Sequence, residues 1–450
     1  MEAFLIKAAQ LIAALAFLIV IHEFGHYLFA RLFGIRVEKF YLFFDWPTAL
    51  FRWKPKAKPR PDGRATWRDT EYGIGLIPLG GYCKISGMID ESLDTAQMAQ
   101  EPQPWEFRTK PAWQRLLVMA GGVLFNFILA IIIYAGIAMH WGEKYIPFDA
   151  ATEGFDFVPA AQAAGFRNGD IPLEADGRKL DAADSDYQLR MIEAKTVKVL
   201  RNGRDTVEIA IPENFLLQLN DDKGFMAYRV PVYIDRIVPG EAAAKAGLME
   251  GDHIVAVDTV PTPSYGELTK ALTLYAGRET TVTVERDGRR LTVDATPNDA
   301  GKLGFQLRPI TAVYPVRSIE YGFFESFPKG WQIGTSTLGN YVSSMKYVFT
   351  KDGAESLGGF GTIGNLFPTR WNWLSFWEIT AFLSVALAFM NIIPIPGLDG
   401  GHILFLLWEV VTRRKVPEKV LINAQYAGMI FLLMLLLYAN GNDIFRAFFK

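Results

Sequence analysis

Residues 11–30 read LIAALAFLIVIHEFGHYLFA, an apolar helix that carries a pattern of ionisable residues. Within it, His22 and His26 stand four residues apart, so on a helix both imidazoles project from one face and can share one zinc ion. Glu23 is turned aside from that pair, and a carboxylate in this position can act as the general base of a metal site. Residues 11–21 are wholly apolar, and apolar residues resume at Tyr27. The stretch therefore predicts a zinc site inside a membrane helix.

This HExxH pattern has a simpler interpretation that must be weighed against the zinc site. The pattern arises by chance in soluble helices, and a lone buried histidine is more often a satisfied core residue than a metal ligand. Two histidines and a glutamate within an apolar helix of bilayer length are different, because ionisable groups are costly there and usually mark function. The setting of the motif therefore favours the metal site.

The composition and the apolar runs predict a polytopic α-helical membrane protein. The chain has 450 residues, of which 50% are hydrophobic and 14% aromatic. Its apolar residues are concentrated in four runs of about the ~20 residues that cross a hydrocarbon core. The runs lie near residues 4–33, 116–139, 375–398 and 420–438. The first run lacks a basic start and a small-residue cleavage site, so we expect it to be retained as a span rather than removed as a signal peptide.

The charge pattern predicts the topology. A net charge of −2 argues against nucleic acid as a partner. Basic residues crowd residues 31–68, after the first run, and residues 413–419, between the last two runs, so the positive-inside rule places both connections in the cytoplasm. The termini and residues 141–370 then lie on the opposite side. The proline-rich basic loop at 45–68 should be extended and could touch the anionic head groups of the lipid bilayer.

The segment from Glu71 to Ile85 is apolar but punctuated by Pro78, Gly80 and Gly81. It is too broken for a spanning helix, and it predicts a β-hairpin at about residues 70–86. Non-helical apolar backbone at a membrane must be satisfied by protein or by a polar cavity, so we expect this hairpin to lie beside the zinc site. A plain soluble hairpin in the cytoplasmic loop is the alternative. Cys83, within this segment, is the only cysteine, so no intramolecular disulfide can form.

An internal repeat occupies the region after the second run. Residues 164–171 (AGFRNGDI) are echoed 82 residues later by residues 246–254 (AGLMEGDHI). In both copies an Ala-rich helical stretch precedes the motif and a pair of β-rich segments joined by a turn follows it, which indicates two tandem α/β modules. The pattern resembles bacterial PDZ domains, which add a peptide tail as a strand to an exposed sheet edge. We expect Pro172 to interrupt one strand of the first copy.

The third zinc ligand is expected near the end of the third run, where the sequence reads NIIPIPGLDGGH from Asn391 to His402. Its prolines and Gly397 must break the helix at membrane depth, which is tolerated where the freed backbone lines a polar cavity. A catalytic zinc takes three protein ligands and keeps one open position. Asp399, a carboxylate in apolar sequence just past the break, completes the set with the two histidines, and His402 is the rival candidate.

The HEFGH and NIIPIPGLDGG motifs, with the tandem modules between them, resemble the site-2 protease family of intramembrane zinc metalloproteases. The resemblance implies that His22, His26 and Asp399 bind zinc, that Glu23 is the catalytic base and that Asn391 holds the substrate backbone. It also implies that the membrane-associated hairpin clamps the substrate as an added strand. The hairpin residues expected to contact substrate are Gly73, Ile74, Gly75, Leu76, Ile77 and Pro78.

The predicted organisation covers the whole chain. The expected segments are a first span at 1–35, a cytoplasmic loop with the hairpin at 36–111, a second span at 112–140, PDZ-like domains at 141–215 and 222–310, a linker with an amphipathic helix and a Gly-rich stretch at 311–372, and spans at 373–402 and 418–440.

The family resemblance implies a bacterial inner-membrane enzyme with periplasmic PDZ-like domains and an active site toward the cytoplasmic side. Its expected substrates are single-span membrane proteins such as an anti-sigma factor, cut after a first extracytoplasmic cleavage, with signal-peptide remnants as a further class. Two other functions stay open from the residues alone. A non-catalytic membrane PDZ receptor would not depend on Glu23, and a zinc transporter would need neither Glu23 nor the modules.

Overall fold

The computed structural model describes residues 2–56, 66–88, 101–184, 186–213, 215, 219, 225–348 and 358–449. The chain divides into two compact units. A membrane unit consists of residues 1–142 and 320–450, and a soluble unit consists of residues 143–319. The soluble unit is therefore inserted between the second and third predicted spans.

The secondary structure of the described residues follows in chain order. The α-helices are α1 Glu2–Leu32, α2 Ala112–Trp141, α3 Pro159–Ala163, α4 Tyr187–Glu193, α5 Ala242–Lys245, α6 Tyr265–Leu274, α7 Ile310–Val313, α8 Phe323–Val348, α9 Phe360–Leu366, α10 Trp373–Ile392, α11 Asp399–Thr412 and α12 Glu418–Phe449. The strands are β1 Val37–Trp53, β2 Glu71–Ile85, β3 Glu143–Tyr145, β4 Phe155–Phe157, β5 Ile171–Ala175, β6 Arg178–Lys179, β7 Thr196–Arg201, β8 Asp205–Ala210, β9 Met226–Tyr228, β10 Val232–Ile237, β11 His253–Val257, β12 Val260–Pro261, β13 Thr280–Arg286, β14 Arg289–Ala295, β15 Phe305–Leu307 and β16 Arg317–Ile319.

Four helices of the described residues, α1, α2, α10 and α12, are long and apolar enough to cross a membrane, which confirms the four predicted spans. The third span is shorter than the predicted 373–402. Helix α10 ends at Ile392, and α11 begins only at Asp399, because Pro394 and Pro396 cannot continue a helix. The break before Asp399 thus separates a spanning helix from a second, shorter one.

The first two spans cross at a pair of glycines. A Cβ atom added at Gly121 would lie 2.6 Å from the carbonyl oxygen of Gly25, so neither position tolerates a side chain. Small residues at a crossing let two membrane helices approach closely and gain van der Waals contact. This close approach brings the histidine face of α1 against α2.

Strands β1 and β2 each fold back on themselves and form one sheet. Residues 37–42 pair with residues 81–85 on one side and with residues 71–74 on the other, and residues 72–75 pair in turn with residues 49–53. The chain reverses between Ile77 and Gly81 as the sequence predicts. The two halves of the predicted hairpin do not pair with each other, however, because residues 39–42 of β1 lie between them. Residues 49–53, part of the stretch expected to be an extended loop, pair on the far side of residues 72–75. Within the described ladder, residues 81–85 form an outer segment.

The soluble unit contains two modules with the same element order. The first runs β4-α3-β5-β6-α4-β7-β8-β9 and the second runs β10-α5-β11-β12-α6-β13-β14-β15. The pairings correspond as well: β9 pairs with β4 as β15 pairs with β10, and β5-β7-β8 matches β11-β13-β14. The repeat read from sequence therefore corresponds to a repeat of structure, while the predicted boundary at residues 215–222 lies mostly outside the described residues.

Each module carries the same buried ion pair. In the first, Arg201 binds both carboxylate oxygens of Asp170 at 2.9 and 2.7 Å and donates a further hydrogen bond to the carbonyl of Gly165. In the second, Arg286 binds Asp252 and the carbonyl of Gly247 in the same way. The repeated Gly-Asp motif and the arginine that ends each later strand thus meet across the module and join its elements.

Pro172 does not interrupt the strand of the first module, contrary to the expectation. It lies within β5 and faces Val199 of β7, and the register shifts between Pro172 and Glu174. A shift of this kind absorbs a residue that has no N–H to give to the ladder. The strand therefore continues through the proline.

Both ends of the soluble unit lie in one small ribbon. Strand β3 pairs antiparallel with β16, and Glu143 is opposite Ile319. After this ribbon, α8 spans Phe323–Val348 and begins seven residues earlier than the amphipathic helix predicted from residue 330. Gly330 and Gly334 face α2, because a Cβ at Gly330 would lie 2.6 Å from the carbonyl oxygen of Ile131 and one at Gly334 would lie 3.3 Å from its side chain.

Candidate metal centre

Three side chains from two helices converge inside the membrane unit. The Nε2 atoms of His22 and His26, one turn apart on α1, are 3.2 Å from each other. The Oδ2 atom of Asp399, at the start of α11, lies 3.1 Å from His22 Nε2 and 3.3 Å from His26 Nε2. The side chains are only 14%, 8% and 14% exposed in the order His22, His26, Asp399. Three atoms of zinc-binding type thus form a nearly equilateral triangle.

The size of this triangle fits a tetrahedral zinc ion. Zinc binds imidazole nitrogen and carboxylate oxygen at about 2.0–2.1 Å, and two ligands of a tetrahedron with such bonds are separated by about 3.3 Å. All three edges of the triangle come within about 0.2 Å of that separation. The fourth corner of the tetrahedron is then left for a non-protein ligand.

Hydrogen bonding leaves lone pairs facing one another in the triangle. His26 Nδ1 lies 2.8 Å from the carbonyl oxygen of Val118, and a carbonyl can only accept, so Nδ1 carries the proton. In its neutral form, His26 therefore directs the lone pair of Nε2 at the buried Oδ2 atom of Asp399. Converging lone pairs in a low-dielectric setting repel unless a cation lies between them. The chemistry of the donor set fits a metal ion.

The break between α10 and α11 places Asp399. Gly397 has a φ of +95°, a conformation that glycine adopts at little cost, and it packs against the backbone of Gly428 in α12. A Cβ at Gly401 would lie 2.7 Å from the Cα of Pro396, so the glycines after Asp399 also permit a tight fold-back. The glycines of this segment, PGLDGG at residues 396–401, therefore have a steric cause.

Glu23 lies beside the sheet formed by β1 and β2. The main-chain N–H of Cys83 donates a hydrogen bond to its carboxylate. A Cβ on Gly81 would lie 2.5 Å from a methyl carbon of Ile19, so the same outer segment packs directly on α1. As the sequence predicts, the apolar Gly- and Pro-containing segment lies next to the candidate centre.

The two ends of β2 differ in how much of their backbone is already paired within the sheet. Gly73 pairs with both Tyr41 and Arg52, and Ile74 pairs with both Leu42 and Phe51, so their backbone groups already face strands on two sides. The outer segment Gly81–Ile85 has a described partner on one side. Asn391 is half-buried in the last turn of α10, and its role in substrate binding stays a prediction.

Among the other histidines, His402 lies on α11, three residues after Asp399, and is not part of the cluster of ligand atoms found among the described residues. His140 is near the end of α2, against Trp141, and His253 stacks on Tyr233 in the soluble unit. The geometry therefore favours Asp399 over His402 as the third ligand.

The sequence interpretation missed the role of α2 at this centre. It placed no residue of the second span at the centre, but the fully buried Asn126 Nδ2 lies 3.2 Å from His22 Nδ1. Gly122 lies between the histidines and the α2 backbone, where a Cβ would be 2.5 Å from both His22 Cε1 and His26 Nε2. The available signal was spacing, since Val118, Gly122 and Asn126 are four residues apart, as are the histidines.

Two histidines on a candidate membrane span, an aspartate brought against them and an adjacent glutamate form the arrangement expected of a metalloprotease that works within the bilayer. The comparison with family models agrees, because the model of peptidase family M50 matches residues 10–435. The chain belongs to peptidase family M50.

Proteins from several bacteria are similar over nearly their whole length. The chain is 29% identical over 489 residues to the regulator of sigma-E protease RseP of Escherichia coli, with 99% of this chain and 100% of that protein covered. It is 27% identical over 467 residues to the metalloprotease MmpA of Caulobacter vibrioides, covering 99% and 97%. A Ralstonia nicotianae protein named as a zinc metalloprotease is 28% identical over 468 residues, covering 97% of each chain.

The family and these relatives establish the class of the protein. It is a zinc-dependent metalloendopeptidase and a multi-pass membrane protein of the intramembrane protease type.

Proposed function

We propose that His22, His26 and Asp399 are the zinc ligands and that Glu23 is the general base for peptide hydrolysis within the membrane. The observation that carries this proposal is the triangle of ligand atoms with edges of 3.1, 3.2 and 3.3 Å. When bound there, zinc supplies a Lewis acid that polarises the scissile carbonyl and makes water a better nucleophile.

The protein residues carry the proton transfers. Glu23 accepts the proton of the attacking water and later delivers it to the leaving amine nitrogen. The N–H of Cys83 holds the carboxylate in place, so one oxygen is oriented and the other remains for proton transfer. The apolar residues of α1 around the motif limit bulk water, which strengthens every electrostatic contact at the site.

The outer segment Gly81–Ile85 is proposed to bind the unwound substrate as an added strand. A peptide bond in a membrane helix is shielded, so part of the substrate helix must unwind and its N–H and C=O groups need new partners. Strand addition supplies those partners. Because Cys83 contacts Glu23, a strand paired along this segment passes the base. Asn391 is proposed to hold a further substrate backbone group.

The two modules of the soluble unit are proposed to be PDZ domains on the periplasmic side of a bacterial inner membrane. They would act as a size filter that admits single-span substrates whose outer part has already been shortened, such as an anti-sigma factor or a signal-peptide remnant. The active site would then lie toward the cytoplasmic side. The shared element order of the modules and the resemblance to RseP over the full chain support this proposal.

The test is cleavage of a single-span model substrate by the purified full chain in detergent or bilayers. Glu23→Gln should keep the zinc content and the thermal stability of the wild type and lose cleavage. Asp399→Ala should lose both zinc and cleavage. Cleavage by Glu23→Gln at the wild-type rate would exclude the proposed base, and a zinc content near zero in the wild type would exclude the centre.

A further inference from the structure

We infer that Asn126 is a positioning residue that fixes the ring orientation and tautomer of His22. Helix α2 then orients both of the proposed zinc-binding histidines. The inference rests on the proposed zinc site and adds a residue outside its ligand set. Three positions of α2 carry the argument: Val118, Gly122 and Asn126, spaced so that they share one helix face.

The two histidines meet matching partners on this face. His26 Nδ1 donates to the carbonyl of Val118 at 2.8 Å, and His22 Nδ1 faces the Asn126 amide at 3.2 Å. The two histidines, four residues apart on α1, thus face two residues that are eight apart on α2, with Gly122 between them. Metal-binding histidines generally donate their second ring N–H to such a partner, which orients the ring and sets which nitrogen is free.

The absence of a side chain at Gly122 is part of the same arrangement. A Cβ there would lie 2.5 Å from His22 Cε1 and His26 Nε2, closer than real Cβ contacts allow. Both rings therefore pack directly against the α2 backbone, which only glycine permits at this position. The face of α2 that holds the histidines thus consists of Gly122 between the hydrogen-bonding residues Val118 and Asn126.

Asn126 is suited to this role by burial and by its own support. It is 0% exposed, and its Oδ1 atom is buried without a hydrogen-bond partner. Ser384 of α10 donates a 2.7 Å hydrogen bond to the Asn126 main-chain oxygen, which ties this turn of α2 to the third span. An amide fixed in this way beside an imidazole is costly to bury unless it serves that imidazole.

The amide orientation determines which nitrogen of His22 is available. With Nδ2 toward His22, the amide donates to Nδ1, and the neutral ring then carries its proton on Nε2, the atom that faces Asp399. After a rotation of about 180° around the Cβ–Cγ bond, Oδ1 accepts from Nδ1–H and Nε2 offers its lone pair. The two orientations have nearly the same shape, so the rotation requires little repacking. Binding of zinc by His22 Nε2 selects the second orientation.

The experiment compares Asn126→Asp, Asn126→Leu and wild type in the full-length protein purified in detergent. Asp keeps an oxygen acceptor toward His22 Nδ1, whereas Leu keeps the volume and removes all hydrogen bonding. The primary readout is zinc affinity in competition with a chelator. The second readout is the visible absorption of the Co²⁺-substituted protein, which reports ligand geometry independently of cleavage. Thermal stability is recorded to show that each variant is folded.

We expect Asn126→Leu to bind zinc about 10–100-fold more weakly, the usual effect of removing an outer partner of a metal-binding histidine, and to alter the Co²⁺ spectrum. Asn126→Asp should retain wild-type affinity within a few-fold. Wild-type affinity in Asn126→Leu would overturn the inference and leave Asn126 a packing residue. Loss of affinity in Asn126→Asp with retention in Asn126→Leu would also overturn it. If the wild type itself holds no zinc, the proposed centre fails instead, so the two failures are distinguishable.

Discussion

The two units of this protein bury carboxylates for opposite purposes. In the soluble unit, Asp170 and Asp252 are at most 1% exposed, and each is bound on both oxygens by an arginine of its own module. In the membrane unit, Asp399 faces the Nε2 atoms of two histidines, and the hydrogen bond from His26 Nδ1 to Val118 leaves the Nε2 lone pair of the neutral His26 ring directed at it. The soluble pairs are complete within the chain, whereas the membrane cluster is proposed to be completed by a zinc ion. A buried charge therefore stabilises the fold in one unit and prepares chemistry in the other.

The largest expected effect comes from removing the membrane carboxylate. Asp399→Asn should lose zinc and lower cleavage of a single-span substrate by about a thousandfold or more, because a metal in this role contributes several kcal/mol to the transition state. Thermal unfolding of the soluble unit should be unchanged. Zinc analysis by mass spectrometry and a cleavage assay on the same preparation measure both effects. Retained zinc would contradict the assignment of this ligand.

The soluble carboxylates should show the reverse pattern. Asp252→Asn leaves Arg286 without its charge partner and should destabilise the second module by about 3 kcal/mol, while zinc content stays at the wild-type level. Asp170→Asn is the matched variant, since it removes the equivalent pair of the first module. Hydrogen exchange of the full-length protein, followed by mass spectrometry, should localise each loss of protection to its own module. Equal loss in both modules for either variant would show that the pairs are not local.

Gly122→Ala tests whether the membrane centre depends on shape as strongly as on charge. A methyl group 2.5 Å from both imidazoles must displace them, and overpacking of this kind costs about 1–3 kcal/mol, or about 10–100-fold in zinc affinity. Gly136→Ala, on the same helix with open space around its Cβ, is the control. Chelator competition distinguishes them. Unchanged affinity in Gly122→Ala would mean that α1 and α2 separate easily.

The smallest effects should come from pH within the soluble unit, where two carboxylates respond in opposite directions. Burial raises the pKa of Asp156, Arg229 opposes that rise, and Glu267 adds to it. Burial also tends to raise the pKa of Asp252, but the hydrogen bonds from Arg286 outweigh it and hold this pKa below its usual range.

A folded-state pKa above the unfolded value means that acidification favours the folded form, so Asp156 should add stability as the pH falls from 7 toward about 4. A depressed pKa has the opposite sign: the contribution of Asp252 is present above about pH 4 and is lost as the pH falls through its folded-state value. Asp156→Asn should therefore remove the gain in stability that Asp156 gives between pH 7 and about pH 4, and should change the free energy of unfolding by under about 1 kcal/mol. Thermal unfolding at several pH values measures it, and a larger loss at pH 7 would show that Asp156 stabilises the fold.

The sequence predicted the parts of the membrane unit that depend on local pattern. Apolar runs identified the spans, the helical period identified His22 and His26, and two prolines identified the helix break. Asp399 could be chosen because a carboxylate in apolar sequence has few other reasons to be present. Its distance from the histidines depended on how α11 folds back after the break, which local pattern does not determine.

The sheet and the outer partners of the histidines could not be predicted, because both depend on contacts distant in sequence. Residues 37–44 lie between the two halves of the expected hairpin, and no local signal reveals an inserted strand. Asn126 gave the same signal as a packing residue, since a polar residue in a membrane helix needs some partner and the sequence does not say which one. The repeat was accessible because duplication leaves the same motif at a fixed interval.

The antiparallel ribbon of β3 and β16 gives the soluble unit an entrance and an exit at adjacent points, with Glu143 opposite Ile319. An insertion whose ends meet can be gained, lost or exchanged without extending the host chain, because joining the flanking residues closes only a short loop. The 177 residues from Glu143 to Ile319 thus have the architecture of a cassette. Evolution, or a protein engineer, could replace this cassette with another domain whose termini are similarly close, and so change what the protease encounters while leaving the helices of the proposed zinc site intact.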